Sequence, residues 1–120
     1  MDMRNAGNVI TWLREAVNRL ADTSENQIAW LVEKRLPADE LALEFSDWAV
    51  LVPQLVEAGQ LSPDAGIAID ALDRQLVSIS GKENTALWED EALRDSAEWA
   101  KVRELAIAAR LTLPEPTAST

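Results

Sequence analysis

The stretch Ser62–Ser80 carries a full set of helix signals and constrains the fold of this chain more than any other feature. Ser62 can cap a first turn with its hydroxyl, Pro63 suits the first helical position, and Asp64 places a negative charge at the positive end of the helix. Gly81 is a typical stop. Apolar residues recur at helical spacing between these ends: Ala65, Ala68, Ile69, Leu72, Leu76 and Ile79. We therefore predict a central amphipathic helix against which the other helices pack.

Three further segments combine a helical stripe of apolar residues with an end signal. The first covers about Asn5–Ala21. The second opens at Ser24, has Gln27 at the spacing of a capping box, and ends before Pro37, because the residue that precedes a proline avoids helical geometry. Ser96 caps the last one. These segments predict one helix each.

The segment after Pro37 predicts two helical pieces with an interruption. A proline followed by two acids is typical of a first helical turn, and we expect a short helix that gives way to a loop near Ser46. Ser46 or Asp47 then caps the next helix. Pro53 lies inside that helix, and its ring and missing N–H predict a kink or break between Ala49 and Val52.

A polar loop follows Gly81, and Asn84 or Thr85 can cap a short helical piece from Ala86 to about Leu93. No strand with a partner competes with these helices. The predicted fold is all-α, a compact single-domain bundle of five to six helices over residues 1–112. Residues 113–120 are mainly proline, small and polar, so we expect a disordered tail.

The chain contains neither cysteine nor histidine. This composition excludes disulfides, thiol nucleophiles, the usual zinc sites and a Ser-His-Asp triad. Any catalysis would have to rest on aspartate, glutamate, lysine, arginine, serine or threonine, with or without a hard metal ion. We expect a protein that is not an enzyme and has no cofactor. No apolar run approaches the length of about 18 residues that spans a bilayer, and the N-terminus lacks a signal-peptide pattern. We expect a cytoplasmic protein.

The formal net charge is −10, from 21 acidic and 11 basic residues. Such a field disfavours nucleic acid and an anionic membrane surface as partners, and it attracts a basic protein. The alternative interpretation is that the charge serves solubility alone.

The acids are distributed unevenly. From Leu36 through Asp73 there are eight acidic residues and no lysine or arginine. This span predicts one negative face, although a run of charge can also be an ordinary solvated surface. Two tryptophans with acidic neighbours could anchor a basic partner there, or could simply pack in the core. The candidate partner-binding residues are Asp39, Glu40, Glu44, Asp47, Trp48, Asp64, Asp70, Asp73 and Trp88.

Two carboxylate pairs provide a competing hypothesis. Asp70 and Asp73 share a helix face, as Glu40 and Glu44 do if their segment is helical, and such oxygens can hold Mg²⁺. In outline this resembles the all-helical nucleotide pyrophosphatases, although their E-x-x-E and E-x-x-D spacings are not reproduced here. Arg74 beside the second pair favours a salt bridge over a metal site. An Mg²⁺-dependent nucleotide hydrolase is the alternative function that these residues suggest.

Two resemblances bear on function. The C-terminal third, SGKENTALWEDEALRDSAEWAKVRELA, is similar to the tail of uncharacterised acidic helical bacterial proteins. In size, acidity and helical character the chain resembles bacterial immunity proteins. That resemblance implies an inhibitor that neutralises a cognate basic toxin or nuclease domain by covering it. A regulatory or structural homodimer, joined through a tryptophan face, is a further alternative.

Overall fold

The structure is a computed structural model that describes residues 6–114. Within that range it consists of seven α-helices and one 3₁₀-helix, with no strand, and the all-α prediction is confirmed. The α-helices are α1 (Ala6–Ala21), α2 (Ser24–Lys34), α3 (Asp39–Ala49), α4 (Val52–Glu57), α5 (Pro63–Ser78), α6 (Asp90–Asp95) and α7 (Ala97–Thr112), and the 3₁₀-helix is Lys82–Trp88. None of these helices is long and apolar enough to cross a membrane.

Four helices form a closed ring around the core. In this ring α1 packs against α3 and α7, and α5 packs against the same two helices. The other α-helices lie outside the ring: α4 packs on α5, α6 packs on α7, and α2 contacts α6. The largest fully buried side chains come from all four helices of the ring and include Leu13, Phe45, Leu72 and Trp99. The helix with the most extensive packing is α7, so the prediction that Ser62–Ser80 is central is wrong: α5 is one wall of the ring.

The two strongest cap predictions are confirmed. Ser62 Oγ accepts a hydrogen bond from the Ala65 N–H at 3.1 Å, and Ser96 Oγ accepts one from the Trp99 N–H at 3.1 Å. In the predicted stripe of α5 only Ala68 stays partly exposed. Both α5 and α7 therefore start where a serine hydroxyl satisfies an otherwise unpaired N–H of the first turn.

The predicted capping box at Ser24 is wrong. Thr23 is the N-cap of α2, and its hydroxyl accepts from the Asn26 N–H at 3.2 Å. Gln27 is fully buried, and its amide donates to main-chain carbonyls at the end of α1 instead of turning back to the cap. The spacing of the motif was present, but burial decided where the glutamine side chain lies.

Gln27 belongs to a hydrogen-bond network that joins four helices. Its Nε2 donates to the carbonyls of Arg19 and Leu20 at 3.0 and 3.1 Å, and its Oε1 accepts from Arg103 Nη1 at 3.3 Å. The same Arg103 nitrogen donates to the Leu93 carbonyl at 2.9 Å. Partial burial lowers the pKa of Arg103 below its usual value, and the carboxylate of Glu25 offsets part of that effect.

α2 ends before Pro37, as predicted, but it does so without glycine. Arg35 takes the left-handed conformation with φ 57°, and the Leu36 N–H donates to the Leu31 carbonyl at 2.9 Å. This is the backbone pattern of a glycine-type cap, built on an arginine.

The region around Pro53 confirms one prediction and corrects another. The helix is broken at Val50 and Leu51, within the predicted interval, because proline cannot donate to the carbonyl four residues earlier and its ring clashes with it. The predicted loop near Ser46 is wrong: α3 continues through it to Ala49. The cap predicted at Ser46 or Asp47 is therefore absent from this helix.

The predicted helix from Ala86 to Leu93 is also wrong. A 3₁₀-helix ends at Trp88, and α6 begins after Glu89, whose φ and ψ of −98° and 158° are extended. Asn84 and Thr85 lie inside the 3₁₀-helix and cap no α-helix there.

The predicted tail starts inside the packed region. Leu113 is buried at the end of α7, and Arg14 on α1 donates a hydrogen bond to the Pro114 carbonyl. Residues 115–120 lie outside the described residues.

Candidate protein-binding groove

An open groove of about 1030 Å³ lies between the end of α3, α4 and residues 63–73 of α5. Aliphatic side chains line most of it, among them Val50, Val52, Pro53 and Ile67. We call this feature the α4 groove. Its size and its largely apolar lining are in the range of sites that bind organic ligands or peptide segments.

Two local sequence features create the α4 groove. Pro53 ends the path of α3, so that α4 starts as a separate short helix across a two-residue turn. Gly66 then lets α4 approach α5 closely, since a Cβ at this position would lie 3.2 Å from Val56 Cγ2. The groove is therefore a consequence of a helix break followed by a close helix contact.

Two large aliphatic side chains in the groove are unusually accessible. Val50 is 70% exposed and Ile67 is 71% exposed. Single apolar residues on a surface are ordinary, but apolar residues gathered in one concave surface with a polar rim are typical of interaction sites. These two side chains would bury the most apolar area if another molecule filled the groove.

The charged residues that line the α4 groove are all acidic: Glu57, Asp70 and Asp73. One positive charge stands close to them, because Arg74 Nε donates to Asp70 Oδ2 at 2.7 Å. Both side chains of this pair are more than half exposed, so solvent weakens the attraction between them. The groove thus combines an apolar floor with a negative rim.

The structure brings some of the predicted partner-binding residues to this groove. Asp70 and Asp73 line it directly. Asp47 and Asp64 are exposed, and each follows a lining residue in the chain. Glu57 belongs to the acid-only span but was not among the predicted site residues.

Another group of predicted residues lies on α3 away from the groove lining. Glu44 forms an ion pair with Arg19 of α1, and the Arg19 guanidinium stacks 4.1 Å from the centroid of the Trp30 ring. Glu40, one turn earlier, is half-buried. The negative charge of Glu44 is therefore compensated within the protein.

Trp48 packs against another tryptophan. Its ring centroid lies 4.7 Å from that of Trp12, with 36° between the ring planes. Trp48 is half-buried, whereas Trp12 remains 42% exposed. The pair joins α3 to α1, and this contact accounts for Trp48 without a partner protein.

Asp39 and Trp88 meet at a second, smaller pocket of about 330 Å³, which Leu43 also lines. Two contacts fix the Trp88 side chain. Its Nε1 donates to the Ile79 carbonyl at 2.8 Å, and its ring packs edge to face on that of Trp99 with 5.1 Å between the ring centroids. These contacts give Trp88 a structural role, and the residue also lines the pocket.

The carboxylates proposed for Mg²⁺ do not form a cage. Among residues 6–114, no group of three acidic side chains lies close enough together to hold a metal ion. Glu44 is engaged by Arg19, and Asp70 by Arg74. The geometry therefore does not favour the alternative of a metal-dependent hydrolase.

Sequence reasoning missed the apolar part of the groove. Ile67 lies off the buried stripe of α5, and a branched apolar residue at a solvent-facing helix position was the available signal. Val50 gave a weaker signal, because its exposure follows from the position of the break before Pro53.

A scan of the chain against models of known protein families found no match, and searches of curated proteins and of solved structures found none either.

Proposed function

We propose that this chain is a protein-binding inhibitor, an immunity protein that neutralises a basic toxin or nuclease domain by covering it. The observation that carries the proposal is the α4 groove, where an exposed apolar surface adjoins three acidic side chains and no lysine or arginine lines the site. In this function the protein performs no chemical step. It excludes the substrate of the toxin from its site.

Charge and apolar surface make different contributions to such an inhibitor. A net charge of −10 attracts a basic partner over a distance and speeds association. Burial of Val50 and Ile67 in the complex slows dissociation, since apolar area leaves water. An inhibitor of a toxin needs both, because it must reach the toxin first and then stay bound.

A growth assay tests this proposal, since the gene of an immunity protein adjoins the gene of its toxin. The product of each adjoining gene is expressed in a bacterial host with or without this chain. We expect one product to arrest growth and this chain to restore it. A chain that fails to restore growth against every toxic neighbour contradicts the proposal.

The assay has a matched pair of variants. The double variant Asp70→Lys/Asp73→Lys reverses two charges of the groove, and Glu33→Lys/Glu104→Lys reverses two exposed charges on α2 and α7. Both variants carry the same net charge. Protection is expected to weaken in the groove variant and to persist in the control.

A further inference from the structure

We propose that the α4 groove binds a short basic amphipathic helix of the partner, with its apolar face against Val50 and Ile67 and its lysines or arginines at the acidic rim. This inference rests on the proposed function and specifies the element of the partner that is recognised. Helix-in-groove binding is a common mode in which apolar side chains at helical spacing enter an apolar cleft.

The size of the groove fits such an element. A helix with its side chains is a cylinder about 10 Å across with a rise of about 1.5 Å per residue, and only its apolar face enters an open groove. The groove measures about 1030 Å³. The groove therefore has room for the apolar face of a short helix.

Other modes of peptide recognition fit less well. Addition of a strand requires an exposed sheet edge, and residues 6–114 contain no strand. Polyproline segments dock on grooves lined by aromatic rings, whereas none of the residues that line the α4 groove is aromatic. The groove is formed by helices with aliphatic side chains, which is the surface that an amphipathic helix needs.

The charges at the rim specify the polar positions of the bound helix. Asp70 and Asp73 are three residues apart on α5, so their carboxylates lie about one helical turn apart on the same side. Glu57 lines the groove from α4. A bound helix with lysine or arginine on both flanks of its apolar face would pair with acids from both helices, whereas acidic residues at those positions would be repelled.

A synthetic peptide tests this inference directly. The probe is a 14-residue, N-acetylated, C-amidated, fluorescein-labelled peptide of leucine and lysine whose leucines share one helical face. A second peptide has the same composition in an order that scatters the leucines. Fluorescence anisotropy against the full chain measures both, and we expect the first peptide to bind at least about tenfold more tightly.

Matched variants locate the binding site. Ile67→Asn removes an apolar side chain of the groove without a change of charge, and Val77→Asn does the same at a 65% exposed position of the same helix that does not line the groove. We expect Ile67→Asn to weaken binding of the first peptide by about tenfold or more and Val77→Asn to leave it unchanged. Asp70→Asn/Asp73→Asn gives a second readout, weaker binding that is most evident at low salt.

Three results would overturn the inference. Equal affinity for the two peptides, or equal effects of Ile67→Asn and Val77→Asn, would mean that the peptide binds by charge alone. A mass by light scattering that corresponds to a dimer, converted to a monomer by Ile67→Asn, would mean that a second copy fills the groove. If one of these results is found and the chain still restores growth, the inhibitor proposal stands without the helix in the groove. If the chain fails to restore growth but binds the first peptide selectively, the inhibitor proposal is wrong and the preference of the α4 groove for a basic amphipathic helix stands.

Discussion

Arg74 and Asp70 form an ion pair on the outer side of α5, with Nε and Oδ2 separated by 2.7 Å, and Asp70 at the same time lines the α4 groove. The chain thus places one positive charge beside an otherwise negative rim. The pair is exposed, so its contribution to folding is small, whereas its effect on the potential at the groove is direct.

Arg74→Gln should therefore change binding more than stability. We expect the association rate with a basic partner to rise severalfold at low salt, because Asp70 is no longer compensated. The free energy of unfolding should change by about 0.5 kcal/mol or less, as is typical of exposed pairs one turn apart. Stopped-flow kinetics and urea unfolding measure the two effects. Lys101→Gln, which removes an exposed cation near Glu104 on α7, is the matched control and should leave the rate comparatively little changed.

Gln27→Leu should destabilise the fold strongly. The substitution keeps the side chain at a similar size but removes the donor to the Arg19 and Leu20 carbonyls and the acceptor for Arg103. Buried groups left without partners cost about 1–3 kcal/mol each, so we expect a loss of about 2–4 kcal/mol in urea unfolding. The exposed Gln54 on α4 offers the comparison, and Gln54→Leu should stay within about 0.5 kcal/mol of wild type. Similar losses in both variants would show that the network contributes little.

Arg35→Gly should stabilise the protein. Arg35 has φ 57°, a conformation that costs a residue with a side chain about 1–2 kcal/mol and glycine much less. Greater freedom of glycine in the unfolded chain offsets part of this gain, and we expect a net rise of about 0.5 kcal/mol in thermal or urea unfolding. One residue earlier, at the last residue of α2, Lys34→Gly should lower stability by about 0.5 kcal/mol, less than in a helix interior. A loss of stability at both positions would contradict the role assigned to Arg35.

The N-termini of helices could be predicted from the sequence where residues close in the chain determine them. Ser62 and Ser96 cap the helices they were expected to cap, because the hydroxyl and the N–H it satisfies lie only three residues apart. The break before Pro53 was predictable for the same reason, since proline acts on its own backbone neighbours.

Where tertiary packing decides, sequence patterns failed. Ser46 lies inside α3 although its side chain favours helix caps. Leu41 and Phe45, about one turn apart on α3, are buried in the core, and this burial stabilises the helix through Ser46. Gln27 had the spacing of a capping residue but faces the interior, where two carbonyls of α1 need a donor.

The groove was predictable only in its charge. The acid-only span contains Asp70 and Asp73, and these do line one surface. The same span also contains Glu44, which Arg19 compensates from a helix far away in the sequence, and no pattern within the span indicates that contact. The position of Ile67 in a groove depends on where α3 and α4 lie, which local periodicity does not encode.

The rate at which a basic protein partner associates with two charge-reversed variants of equal net charge decides whether the acidic rim of the α4 groove is the binding surface. One carries Asp47→Lys, Asp70→Lys and Asp73→Lys. The other reverses three exposed acids on α1, α2 and α7: Glu15→Lys, Glu33→Lys and Glu104→Lys.

We expect the first variant to associate at least about tenfold more slowly than the second at low ionic strength. The two rates should converge as the salt concentration approaches about 1 M, where the screening length falls to about 3 Å. Equal rates for the two variants at low salt would contradict the claim that the surface around the α4 groove is where the basic partner binds.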